Sequence, residues 1–162
     1  MSDSAGIDSG GKKVDSSRLG VTTVNAIGYV PFAGRLLIGL PFAMSGLGKL
    51  AAIGPTTEVI RAAGLPLPPL VLALAVVVEL GGGLLLVAGF RTRIVATVLV
   101  LFSLAAAVSF HSNFADQNQM IHFLKNVMIA GGLLQIVAFG AGALSIDNRS
   151  AKGGSVAARE IA

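Results

Sequence analysis

Nothing constrains this chain more than residues 68–90, PPLVLALAVVVELGGGLLLVAGF, an apolar run broken by one carboxylate, Glu79. About 20 helical residues at 1.5 Å each cross a ~30 Å hydrocarbon core, so the run predicts a spanning helix with Glu79 near its middle. An ionised carboxylate at that depth costs roughly 2.5–3.5 kcal/mol on insertion scales. It must be paired, protonated or turned toward a polar cavity. Identifying its partner is the main problem the sequence poses.

The rest of the chain has the same character. Only 12% of its 162 residues are charged and its mean hydropathy is +0.81, whereas about a quarter of residues are charged in an ordinary soluble domain. A bundle of membrane-spanning helices would use nearly all of that length. With no cysteine, the chain by itself supports no disulfide, thiolate catalysis, Cys-based zinc site or iron–sulfur cluster. The net charge of +4 is small and includes no basic run interleaved with aromatics, which argues against a nucleic-acid partner. The lipid bilayer is the partner that the composition requires.

Residues 1–28 are rich in Gly, Ser and Asp and read as a disordered polar tail. Residues 29–148 read as a membrane domain and residues 149–162 as a second polar tail. Within the domain, residues 29–50 form a first span carrying Arg35, Pro41 and Lys49. Residues 54–68 connect it to the second span, 68–90, with a short helix expected at 57–63. Arg91-Thr92-Arg93 leaves room only for a tight reversal into the charge-free span 94–110. A polar loop at 112–119 leads to the last span, 121–144. The expected fold class is all-α, an integral membrane four-helix bundle. Lys12, Lys13, Arg18, Arg91, Arg93, Arg149, Lys152 and Arg159 share one face, against Lys49, Arg61 and Lys125 on the other. By the positive-inside rule both termini are expected to be cytoplasmic.

In the first span Arg35, Gly39, Phe42, Gly46 and Lys49 recur at steps of three and four, which is one face of a helix. Gly82 and Gly83 give Glu79 an equally approachable face, so the two stripes suit close small-residue packing. Counting up from the cytoplasmic ends places Arg35 roughly 9 Å above Tyr29 and Glu79 roughly 16 Å above Phe90. On that count Arg35 is the favoured partner of Glu79, Lys125 the reserve, and Lys49 weaker because it can snorkel outward. Arg35, Glu79, Lys125 and Asn126 are the candidate intramembrane polar site, between the first, second and fourth spans. The bland alternative is that these charges only fix helix register.

Lys49, His111 and His122 form a candidate polar cluster at the outer face, where the histidines with Asp116 could relay protons. No paired-histidine spacing suggests a metal site. The GGG of Gly81–Gly83 precedes no strand–helix phosphate loop and reads as helix packing. Ser45, Ser103 and Ser109 show no acid–base neighbours in sequence of the kind a hydrolase triad needs. No catalytic residue is assigned.

The succession RLLIGLPFAMSGLGKL from Arg35, ELGGGLLLVAGFRTR from Glu79, then His111, KNVMIAGGLL from Lys125 and GAGALSID from Gly140 resembles the DoxX family. The similarity covers about residues 30–148. The resemblance implies a small four-helix protein of the bacterial inner membrane, with Arg35, Lys49, Glu79, His111, Lys125 and Asn126 at the family's recurrent polar positions. It also implies a membrane subunit of a quinone-linked or stress-related redox system, with quinone as the candidate ligand. No motif anchors an electron-transfer cofactor, so electrons would come from a redox partner protein. A non-enzymatic membrane scaffold or small-solute carrier is the competing expectation, and a bundle this small is a candidate for oligomerisation. Asp147 is expected to cap or pair near the end of the bundle.

Overall fold

The structure is a computed structural model describing residues 16–149, with side chains described from residue 28 onward. It contains α1 (Ser16–Ala51), α2 (Ile53–Ala62), α3 (Pro68–Ala88), α4 (Thr92–Phe110) and α5 (Gln117–Phe139), and no strand among the described residues. Gly28–Ala51 of α1, together with α3, α4 and α5, are long and apolar enough to cross a membrane. The four expected spans are therefore present. The backbone of α1 begins at Ser16, inside the stretch read as a tail; the remainder of both expected tails, residues 1–15 and 150–162, lies outside the described residues.

The ends of the helices follow local chemistry. Pro68 and Pro69 open α3, where their missing N–H groups leave no hydrogen bond unmade. Gly89 closes it in the left-handed conformation at φ 71°, which a residue without Cβ adopts freely. At the start of α5, Asp116 accepts hydrogen bonds from Asn118 N (2.8 Å) and Gln119 N (3.4 Å). The short α2 occupies the connection between the first two spans, where a helix was expected a few residues later, and buries Ile60.

Glycines set the register of the antiparallel pair α1 and α3. A Cβ on Gly46 would lie 2.7 Å from Leu80 N. One on Gly83 would lie 2.6 Å from Gly39 O and 2.7 Å from Ala43 N, and one on Gly39 would lie 2.8 Å from a Val87 methyl. The two backbones touch because these side chains are missing, which is how helices pack where lipid supplies no hydrophobic drive. Gly82 turns the adjacent face of α3 to Leu99 of α4.

Leu86, Val95, Ala96, Leu99, Val100, Ala130 and Leu133 form the core, with Ile38, Phe42, Val78, Ile136 and Val137 packed around it. Most of these lie in the half of the bundle that includes the Arg91 turn. In the other half, toward His111, the helices part around a cavity of about 750 Å³ lined by all four spans and by α2.

Candidate functional site

Arg35 does not pair with Glu79. It is 1% exposed, and its guanidinium donates to Leu86 O (3.1 Å) and Val87 O (2.9 Å) at the end of α3, and to Leu144 O. The last carbonyls of a helix lack intrahelical donors and carry the negative end of its dipole, so a guanidinium suits them well. Phe32 lies against it, 5.5 Å from the ring centroid to Cζ. The reason for the mispairing is register. The glycine contacts slide α1 along α3 by about seven residues, roughly 10 Å at 1.5 Å per residue, from the alignment that sets Tyr29 level with Phe90.

That same shift brings Lys49 to Glu79. The Lys49 Nζ atom lies 2.6 Å from Glu79 Oε2, in an ion pair outside hydrogen-bonding angles. Ser45, one turn before Lys49, accepts from Nζ at 3.0 Å and donates to Glu79 Oε1 at 3.3 Å. Glu79 is 6% exposed, whereas the Lys49 side chain is 26% exposed. The carboxylate is thus desolvated and depends on two groups of α1. It sits in a π-helical turn, Val77–Gly81, within α3; such turns widen a helix locally and recur at functional sites.

Ser45, Lys49 and Glu79 all line the cavity, whose walls are otherwise mainly apolar, among them Ile38, Phe42, Leu74, Val78 and Phe102. Thr56, Ser109, His111 and Asn126 supply its remaining polar groups. Asn126 Nδ2 donates to His122 O in its own helix at 3.0 Å. His111 and His122 stack with ring centroids 5.0 Å apart and planes at 24°. His111 is half-buried and His122 exposed. Lys125, the reserve partner, is exposed on α5 and is not part of the cavity wall.

At the opposite end Asp147 ties the chain after α5 to the start of α4. Its carboxylate accepts from Arg91 N (2.8 Å), Thr92 N (2.9 Å) and Thr92 Oγ1 (2.7 Å), and its own N–H donates to Gly89 O (3.0 Å). Burial pushes this carboxyl up; the hydrogen bonds from Thr92 and Arg91, with the Arg91 charge, outweigh it and hold the group below the usual carboxylate range. Arg35 and Asp147 together clasp the Arg91 end.

A family model described as DoxX matches residues 30–112. The inner membrane protein YqjF of Escherichia coli (strain K12) is 39% identical over 113 residues, covering 70% of this chain and 85% of its own. The chain belongs to the DoxX family. The inner membrane protein YphA of the same organism is 35% identical over 120 residues, 71% of this chain and 86% of its own. No solved structure matches. With four spans and these relatives, this DoxX protein is a multi-pass inner-membrane protein.

Of the residues singled out in this DoxX chain by burial cost, the cavity gathers Lys49, Glu79, His111 and Asn126, and leaves Arg35 and Lys125 elsewhere. Sequence reasoning set Ser45 aside, although it bridges both members of the ion pair. Its position four residues before Lys49 on the charged stripe was the available signal. Thr56 and the π turn left no comparable trace.

Proposed function

We propose that this DoxX protein binds an amphipathic small molecule in the cavity at its His111 end, with the polar head at Ser45, Lys49 and Glu79. One observation carries the reading: a desolvated carboxylate, held among the described residues by two α1 side chains, sits on the wall of a mainly apolar space of about 750 Å³. Apolar walls with a few convergent polar groups are the usual form of a ligand site. An intramembrane ionisable group is by default a functional candidate. A quinone fits these requirements. Its ring and tail take the apolar slot, and the Lys49 ammonium, which has three N–H donors, keeps one for a carbonyl beyond those turned to Ser45 and Glu79. The protein then serves as a membrane subunit of a quinone-linked or stress-related redox system, with electrons supplied by a partner protein and both termini in the cytoplasm.

Purification in lipid nanodiscs followed by organic extraction tests this. Quinone is expected at a near-stoichiometric level from the unaltered protein and at a much lower level from Lys49→Met and Glu79→Gln. Absence of quinone from all three preparations, with a protein partner co-purifying, supports a membrane scaffold instead. The exposed surface of α5, of which only 11% of the most apolar stretch is buried, favours that second reading. Reporter fusions after Ala162 test the orientation: a cytoplasmic reporter is active there, and activity of a periplasmic one contradicts it.

A further inference from the structure

His111 closes α4 and faces the cavity with its hydrogen bonding half used. Its Nδ1 lies 2.8 Å from Gln119 Oε1. An amide oxygen only accepts, so Nδ1 carries the proton of that bond, and in the neutral ring Nε2 holds a lone pair. Nε2 has no hydrogen-bond partner among the described residues. The ring is fixed on two sides, by its stack on His122 and by Gln119, whose backbone N–H is in turn held by the Asp116 carboxylate. The charged groups on the other walls, Lys49 of α1 and Glu79 of α3, already engage each other and Ser45. Asn126 of α5 is tied through Nδ2 to His122 O.

Resting on the reading of the cavity as a ligand site, we propose that His111 Nε2 is a specificity-determining acceptor that selects an apolar molecule bearing a hydroxyl, such as the hydroquinone form of a quinone, over the same skeleton without one. Gln119 sets the tautomer and His122 sets the plane of the ring. A lone pair that an apolar ligand covers loses its water without replacement. A ligand O–H restores the bond, and its methyl ether does not.

The chain has two histidines, so selective nitrogen labelling of histidine gives two ring systems to follow by NMR in nanodiscs at mildly alkaline pH. His111 is expected to carry its proton on Nδ1. Addition of para-decylphenol is expected to shift its Nε2 resonance, and addition of the methyl ether of that phenol to leave it in place. After correction for partition into empty nanodiscs, the phenol binds roughly three- to ten-fold more tightly than the ether. The preference disappears in His111→Phe, which keeps an aromatic ring for the stack. A proton on Nε2, equal binding of the two probes, or a preference abolished by Asn126→Leu but kept in His111→Phe overturns the assignment. Binding of neither probe overturns the role of His111, and failure of decyl-quinone to bind as well removes the cavity reading.

Discussion

Glu79 is the most buried acid among the described residues, and its stability depends on Lys49 and Ser45 of a neighbouring helix. Replacing Lys49 with Met removes the cation and leaves the carboxylate desolvated. The expected loss is about 1–3 kcal/mol, less than for a fully buried pair because Lys49 is partly exposed. The double change Lys49→Met with Glu79→Leu is expected to recover most of it, since an apolar pair needs no compensation. Thermal unfolding in detergent checks both; a double variant weaker than the single one contradicts the account. At this scale the sequence was partly legible. The cost of burying polar groups marked Glu79 and Asn126 for one site and Lys49 and His111 for a separate outer cluster, and the cavity brings these four together. It could not say which cation meets Glu79, because pairing depends on how far one helix slides along another, and depth counted from the helix ends misplaces that by about seven residues. The capacity of Lys49 to snorkel outward put it below Lys125 as a partner, yet Lys125 lies on an exposed face of α5.

Among the helices, the glycine stripes on α1 and α3 were legible from their spacing, and the contacts follow it closely. Gly83→Ala and Gly46→Ala each drive a methyl group into backbone at 2.6–2.7 Å, and each is expected to destabilise by about 1–3 kcal/mol. Gly34→Ala and Gly48→Ala meet nothing within 4 Å and are expected to be neutral or slightly stabilising in thermal unfolding. The π turn at Val77–Gly81 left no sequence trace, since the span is apolar on every face and the phase shift from one extra residue has no pattern to disturb. At the Arg91 end the expectation that Asp147 caps or pairs is met by its bonds to Arg91 and Thr92. Its pKa is lower in the folded protein than in the unfolded chain, so its contribution is present above the unfolded value of about 3.9 and is lost as pH falls through the folded value. Asp147→Asn is expected to lower the unfolding temperature at neutral pH and to flatten the acid decline below about pH 4. An unchanged acid limb contradicts that role.

For the molecule as a whole, two differently built halves follow from the packing. The Arg91 half is closed by the glycine contacts, the core cluster and the clasp of Arg35 and Asp147. The His111 half is parted around a cavity with an ion pair on its wall. Four spans were readable from length and hydropathy alone, because the bilayer fixes both. The cavity was not, because it arises where α1, α3, α4 and α5 separate, and separation is a property of the assembled bundle. On the proposed function, ligand binding falls to Lys49 and Glu79, and bundle stability to Arg35. Binding of decyl-quinone to nanodisc-embedded protein separates the two. Lys49→Met and Glu79→Gln are expected to weaken binding at least ten-fold, about 1.4 kcal/mol, while Arg35→Lys lowers the unfolding temperature and leaves the affinity of the folded protein within about two-fold. Unchanged affinity in Lys49→Met and Glu79→Gln, with binding lost in Arg35→Lys, contradicts this division of roles.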